Sequence, residues 1–111
     1  MSTALAPADA LAALAAGGGG KPGLALFTHG SLAVEVYRPV DRDRQTPHAR
    51  DEVYVVIAGR GMFHCGDERT AFGPGALLFV PAGAEHRFED FSDDFSTWVL
   101  FYGPHGGEHD A

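Results

Sequence analysis

The sequence predicts an all-β domain: antiparallel strands closing as a sandwich or barrel, with one short helix in front. Three observations carry this. From Leu24 onward the chain runs as short β-branched and aromatic stretches at close, regular spacing. Fifteen glycines and seven prolines punctuate it, as a fold with many tight turns requires. No helical stretch separates the strands between residues 24 and 104, which excludes the crossovers that parallel strands need. At 111 residues with 45% hydrophobic side chains, one globular domain with its own core is expected.

The elements follow in order. Residues 7–16, rich in alanine and leucine with Pro7 in the first turn, predict a short helix. Gly17 to Gly20 ends it as a flexible joint, so residues 1–20 read as a separable helix and linker. Strands are expected at 24–28 and 32–38, about a turn at His29-Gly30. A polar loop runs from Pro39 to Pro47. Residues 52–57 form the next strand, Gly59-Arg60-Gly61 turns the chain, and 62–65 and 69–72 pair about Gly66-Asp67. Residues 76–80, 86–89 and 96–102 complete the set, with breaks at Gly73-Pro74-Gly75 and Pro81-Ala82-Gly83. The barrel is thus expected over 21–104 and a flexible polar tail over 105–111. Residues 76–80 and 95–102 carry large apolar groups on both faces, so one face needs a cover such as a neighbouring sheet or a second subunit; a homodimer is expected.

A formal charge of −7, with Lys21 the only lysine, argues against a nucleic-acid surface and an anionic membrane. No basic start with an apolar centre marks a secretory signal, and no apolar run reaches the length of a membrane span. Cys65, the only cysteine, reads as a small buried hydrophobe and allows no intrachain disulfide; cytoplasmic residence is the expectation.

The chemistry gathers in two segments, Thr46-Pro47-His48-Ala49-Arg50-Asp51-Glu52 and Gly75 through Pro81, Gly83 and His86 to Asp90. Two histidines and a carboxylate suit a divalent metal with open positions, as in a facial triad for iron or a catalytic zinc site. His48 and Glu52 would lie roughly 13 Å apart if fully extended, so the chain must bend near Arg50-Asp51.

The first segment resembles the first cupin motif, His-x-His-x3-4-Glu-x6-Gly, at His48, Glu52 and Gly59. The second resembles cupin motif 2, Gly-x5-Pro-x-Gly-x2-His-x3-Asn, at Gly75, Pro81, Gly83 and His86. Thr46 stands where the family has its first histidine, and Asp90 where it has asparagine. The resemblance spans roughly residues 24–104 and implies a cupin-type antiparallel β-barrel, or jelly roll. It further implies one divalent transition metal per chain (iron, manganese, nickel or zinc), held by His48, Glu52 and His86. The expected function is metal-dependent chemistry on a small organic molecule, with dioxygenase-like oxygen insertion ahead. Glu52 would also accept a proton. The alternatives are a metal-dependent isomerase or lyase, and a non-catalytic cupin that binds or senses a small ligand.

The remaining candidates are weaker. Thr46 or Gln45 could hold a metal-bound water by hydrogen bond. Tyr37, Gln45 and His64 are candidates for a second polar group near the metal, although His64 also reads as a wall or surface residue. Asp90 reads either as an acceptor that orients His86 or as part of an exposed acidic turn. Asp51 should point to solvent, as should Arg50 and Arg87. Tyr37, Tyr54, Phe88 and Trp98 read most simply as core. His29 reads as a turn residue, and His105 and His109 as part of the disordered tail.

Overall fold

The computed structural model describes residues 3–109. Its elements are α1 (Pro7–Gly17), β1 (Gly23–His29), β2 (Leu32–Tyr37), β3 (Asp51–Ala58), β4 (Gly61–Cys65), β5 (Glu68–Phe72), β6 (Leu77–Val80), β7 (His86–Glu89) and β8 (Ser96–Tyr102). All strand pairs are antiparallel. Five strands form one sheet in the order β1-β2-β8-β3-β6, and three form the other in the order β5-β4-β7. The two antiparallel sheets pack as the jelly roll that the motif resemblance implies.

Alternation decides which side chains enter the space between the sheets. On β3, Glu52, Tyr54 and Val56 are buried, while Val53, Val55 and Ile57 face outward and are partly exposed. Tyr54, Val56, Phe63, Phe72, Val80, Phe88, Phe95 and Val99 make the core. Its aromatic part is tight: Phe88 and Phe95 have ring centroids 4.6 Å apart, and Tyr54 meets Phe88 edge-on at 4.9 Å. Gly59, at φ +89, is required here, because a Cβ would lie 2.5 Å from the Phe95 Cα.

The short N-terminal helix is where the sequence predicts it, and the C-terminal segment differs from the expectation. Helix α1 packs on β1 and β2, with Ala10 completely buried. Its first turn is capped by Asp9, whose carboxylate accepts from Ala6 N at 2.8 Å. The C-terminal residues within the described range fold back onto the body. Gly106 N donates to Ala49 O at 2.7 Å, Glu108 N donates to Asp51 Oδ2 at 2.8 Å, and Gly107 is buried. The tail expected to be flexible is thus tied down at residues 106–108, since its glycines leave backbone donors free to find acceptors. Residues 110 and 111 of that tail, and residues 1 and 2 of the N-terminal segment, lie outside the described residues. No helix among the described residues is long and apolar enough to cross a membrane.

Candidate metal centre

The chain bends at Ala49-Arg50, just before β3 begins at Asp51. That bend brings His48 over the start of β3, leaving its Nε2 3.7 Å from Glu52 Oε1. The pairing of β3 with β6 sets Glu52 opposite Val80, one residue before the Pro81 turn that leads to β7. From β7, His86 places Nε2 2.9 Å from the same Glu52 oxygen. One donor atom from each of His48, Glu52 and His86 lies within 4.8 Å of the others. The three residues chosen from the sequence do come together.

Glu52 is fully buried, and neither carboxylate oxygen has a hydrogen-bond partner. A buried carboxylate left this way is costly unless a cation satisfies it. The close approach of His86 does not relieve it by itself. His86 Nδ1 lies 2.9 Å from the Ala84 carbonyl and donates there. A neutral ring then presents a lone pair at Nε2, facing the carboxylate oxygen. Two acceptors confront each other, and a proton or a metal ion between them resolves the conflict. Burial works against a charged His86 ring, but the Glu52 carboxylate and the Ala84 carbonyl outweigh it and hold the imidazole above its ordinary range. The donor set, the orphaned carboxylate and the carbonyl that orients His86 all fit a divalent metal.

A cavity of about 330 Å³ opens beside these groups, with Glu35, Tyr37, Gln45, His48, Glu52 and Tyr54 among its lining residues. His86 lies behind the wall, its side chain wholly buried. Phe101 closes one side, 5.0 Å edge-on from the His48 ring.

Glu35 and Tyr54 are site residues that the sequence reading missed. Glu35 faces the cavity because β2 pairs it with Val99, which β8 in turn pairs with Tyr54. Burial pushes its carboxyl up, and the Glu52 charge adds to this, while His48 and Arg50 oppose it. Alternation in Leu32-Ala33-Val34-Glu35-Val36-Tyr37 was the available signal: Glu35 sits opposite the buried Val34 and Val36. Tyr54, expected in the core, is buried there, but its hydroxyl lies 3.1 Å from His86 Nε2 and 2.9 Å from Gln45 Oε1. Burial, with the Glu52 charge next, raises this phenol far above the ordinary tyrosine range, so it stays protonated.

The other candidates fall into place. Thr46 is exposed and does not line the cavity; Gln45 does. Tyr37 also lines it, with its hydroxyl donating to Asp43 at 2.6 Å. His64 is on the outer side of β4, 3.2 Å from Glu89, away from His48, Glu52 and His86. Asp90 sits exposed in a turn at φ 51. Arg50 reaches the Ser31 carbonyl, and Arg87 is exposed. Asp51 corrects an expectation: it is buried, not solvated, and accepts from Ala82 N at 2.9 Å as well as from Glu108 N. Those two N–H groups, Glu108 first, hold its carboxyl below the ordinary aspartate range.

Residues 33–102 match the family profile described as "Cupin domain". An uncharacterised protein of Streptomyces coelicolor is 44% identical over 62 residues, covering 56% of this chain and 59% of that relative. Among solved structures, the DMSP lyase DddQ from Ruegeria pomeroyi DSS-3 is similar at 28% identity and a TM-score of 0.64, over 73% of this chain and 46% of that one. A cupin-2 domain protein from Rhodospirillum rubrum shares the fold at 17% identity and a TM-score of 0.61, over 75% of this chain and 60% of that one. The chain therefore spans well under the full length of each of these three proteins.

Proposed function

The chain belongs to the cupin family, and from that premise we propose that it is a metal-dependent enzyme moving a proton on a small polar organic molecule, in a lyase or isomerase reaction. The carrying observation is the buried Glu52 carboxylate, without a hydrogen-bond partner and converging with His48 and His86. A divalent ion held there would supply Lewis acidity, polarising an oxygen of the bound molecule. His48, Glu52 and His86 are the proposed ligands, one ion per chain, and their three atoms leave other coordination positions free.

The reaction class follows from what else lines the cavity. Glu35 stands on the β2 wall as a carboxylate whose affinity for a proton is raised by burial, which suits it to take one from a bound molecule. Tyr54 keeps its proton and donates a hydrogen bond into the site. Glu52, expected from sequence to accept a proton, is better suited to ligation, and Glu35 takes the proton-transfer role. The likeness to a solved protein named as a DMSP lyase supports the same direction. Oxygen insertion was the expectation from the ligand set alone; it assigns no task to Glu35.

The test uses untagged protein loaded with Fe²⁺, Mn²⁺, Ni²⁺ or Zn²⁺ separately. A panel of small hydroxy acids, keto acids and sugars is then screened for exchange of carbon-bound hydrogen with solvent deuterium, alongside an oxygen electrode. Exchange or elimination without oxygen uptake supports the proposal. Oxygen uptake coupled to product formation returns the assignment to oxygen insertion. Binding without turnover points to a sensing cupin.

A further inference from the structure

Gln45 lies three residues before His48, in a loop that sequence alone leaves unstructured, yet it is held on every side. Asp43 is buried and accepts four hydrogen bonds: from Tyr37 Oη at 2.6 Å, Gln45 Nε2 at 2.6 Å, Phe88 N at 2.9 Å and Gln45 N at 3.1 Å. One carboxylate thus joins β2, the loop and β7, two residues beyond His86. It also fixes which way the Gln45 amide points. Backbone N–H groups of Gln45 and Phe88 donate to the two Asp43 oxygens, which therefore act as acceptors, so the Gln45 nitrogen faces Asp43. The carbonyl oxygen is forced to the opposite side, towards the metal ligands.

There it closes a ring of five atoms. Gln45 Oε1 is 2.9 Å from Tyr54 Oη, which is 3.1 Å from His86 Nε2. His86 Nε2 is 2.9 Å from Glu52 Oε1, and that oxygen is 3.7 Å from His48 Nε2. His48 Nε2 returns to Gln45 Oε1 at 3.3 Å. With metal–ligand distances of about 2.1 Å, neighbouring ligand atoms sit about 3.0 Å apart at right angles and about 3.4 Å apart at tetrahedral angles. Between the proposed ligands, the steps His86–Glu52 at 2.9 Å and His48–Gln45 at 3.3 Å match that spacing, and Glu52–His48 at 3.7 Å is slightly longer. Tyr54 is the donor in the ring, its hydroxyl donating to Gln45 Oε1.

We infer that Gln45 is a fourth protein ligand, its side-chain carbonyl completing a two-histidine, one-glutamate, one-glutamine site, with Asp43 as the positioning residue that aims it. Thr46 then has no part in coordination, although it occupies the motif position of the family's first histidine. A neutral oxygen in place of an imidazole makes the site harder and weaker-field, favouring Fe²⁺, Mn²⁺ or Zn²⁺ over softer ions.

This inference rests on the proposed metal site, and the experiment separates the two. Co²⁺ alone is titrated into metal-free wild type and into Gln45→Leu, following affinity and visible absorption. The wild type should bind about one Co²⁺. Gln45→Leu should bind on the order of tenfold or more weakly, with a changed spectrum reporting a changed ligand set. Gln45→Asn, which keeps the amide but withdraws it by one methylene, should do the same and serves if the leucine variant fails to fold. Asp43→Asn frees the amide to rotate and should reproduce part of the loss. If the wild type binds no Co²⁺, the metal site itself is wrong. If the wild type binds and either folded Gln45 variant matches it in affinity and spectrum, Gln45 is not a ligand and the inference fails alone.

Discussion

Glu52 and Glu35 are both carboxylates on inner strand faces, and their surroundings give them different tasks. Glu52 is fully enclosed and meets two imidazoles; Glu35 is half-buried and lines the open cavity. The two can therefore be told apart by substitution. Replacing His86 by alanine removes one of the proposed ligands while the aromatic core around Phe88 stays in place. Metal affinity should fall at least about 100-fold, with the strand signal in circular dichroism retained. Undiminished metal content would make His86 purely structural. Glu35→Gln should leave metal content unchanged and lower turnover by roughly 10²–10⁴-fold in any assay found by the exchange screen. A variant that loses metal instead would place Glu35 among the ligands. Glu35 was not singled out from sequence and Gln45 only as a polar group near the metal, because what makes them functional is who stands opposite. Glu35 meets Val99 across sixty-four residues of chain, and Gln45 is oriented by an aspartate whose other bonds reach β2 and β7.

At the scale of elements, local patterning was sufficient where it was strong. The strand breaks fall at the turns marked by Gly59, Gly66-Asp67, Gly73-Pro74-Gly75 and Pro81-Ala82-Gly83. The convergence of His48, Glu52 and His86 was legible because their motif fixes both spacing and turn chemistry, and the required bend falls at Ala49-Arg50. The C-terminal end was misread for a physical reason: composition shows that a segment is polar or glycine-rich, but not that it will find partners. That segment bonds to Ala49 and Asp51, the residues flanking the bend between His48 and Glu52. Deleting residues 105–111 should loosen metal binding by roughly tenfold, a loss that titration of the truncated protein would register. Equal affinity would mean that the tail merely packs. Asp51 gives this clamp a pH dependence. Its folded pKa lies below the ordinary value of about 3.9, so its contribution is complete above that value and is lost as pH falls through the lower folded one. In metal-free protein, urea midpoints taken from pH 6 to pH 2 should fall less in Asp51→Asn than in the wild type. Identical slopes would remove Asp51 from the account.

At the scale of the molecule, the five-stranded sheet has two apolar faces and only one core to fill. The inner face meets the three-stranded sheet. The outer face is partly covered by α1 at β1 and β2, and leaves Leu77 and Phe79 66% and 50% exposed on β6. Trp98, Leu100 and Val55 continue that surface on β8 and β3. We propose a homodimer through this sheet. Light scattering coupled to size exclusion should give twice the chain mass of 11.7 kDa, and Phe79→Glu should return it to monomer. A monomeric wild type at micromolar concentration would leave that surface to some other partner.

The central claim is that His48, Glu52 and His86 hold a metal ion, and elemental analysis of untagged, dialysed protein tests it most directly. The account predicts about one transition-metal ion per chain in the wild type and almost none in His86→Ala. A folded wild type that carries no metal, and takes up none when offered Fe²⁺, Mn²⁺, Ni²⁺ or Zn²⁺, would contradict it.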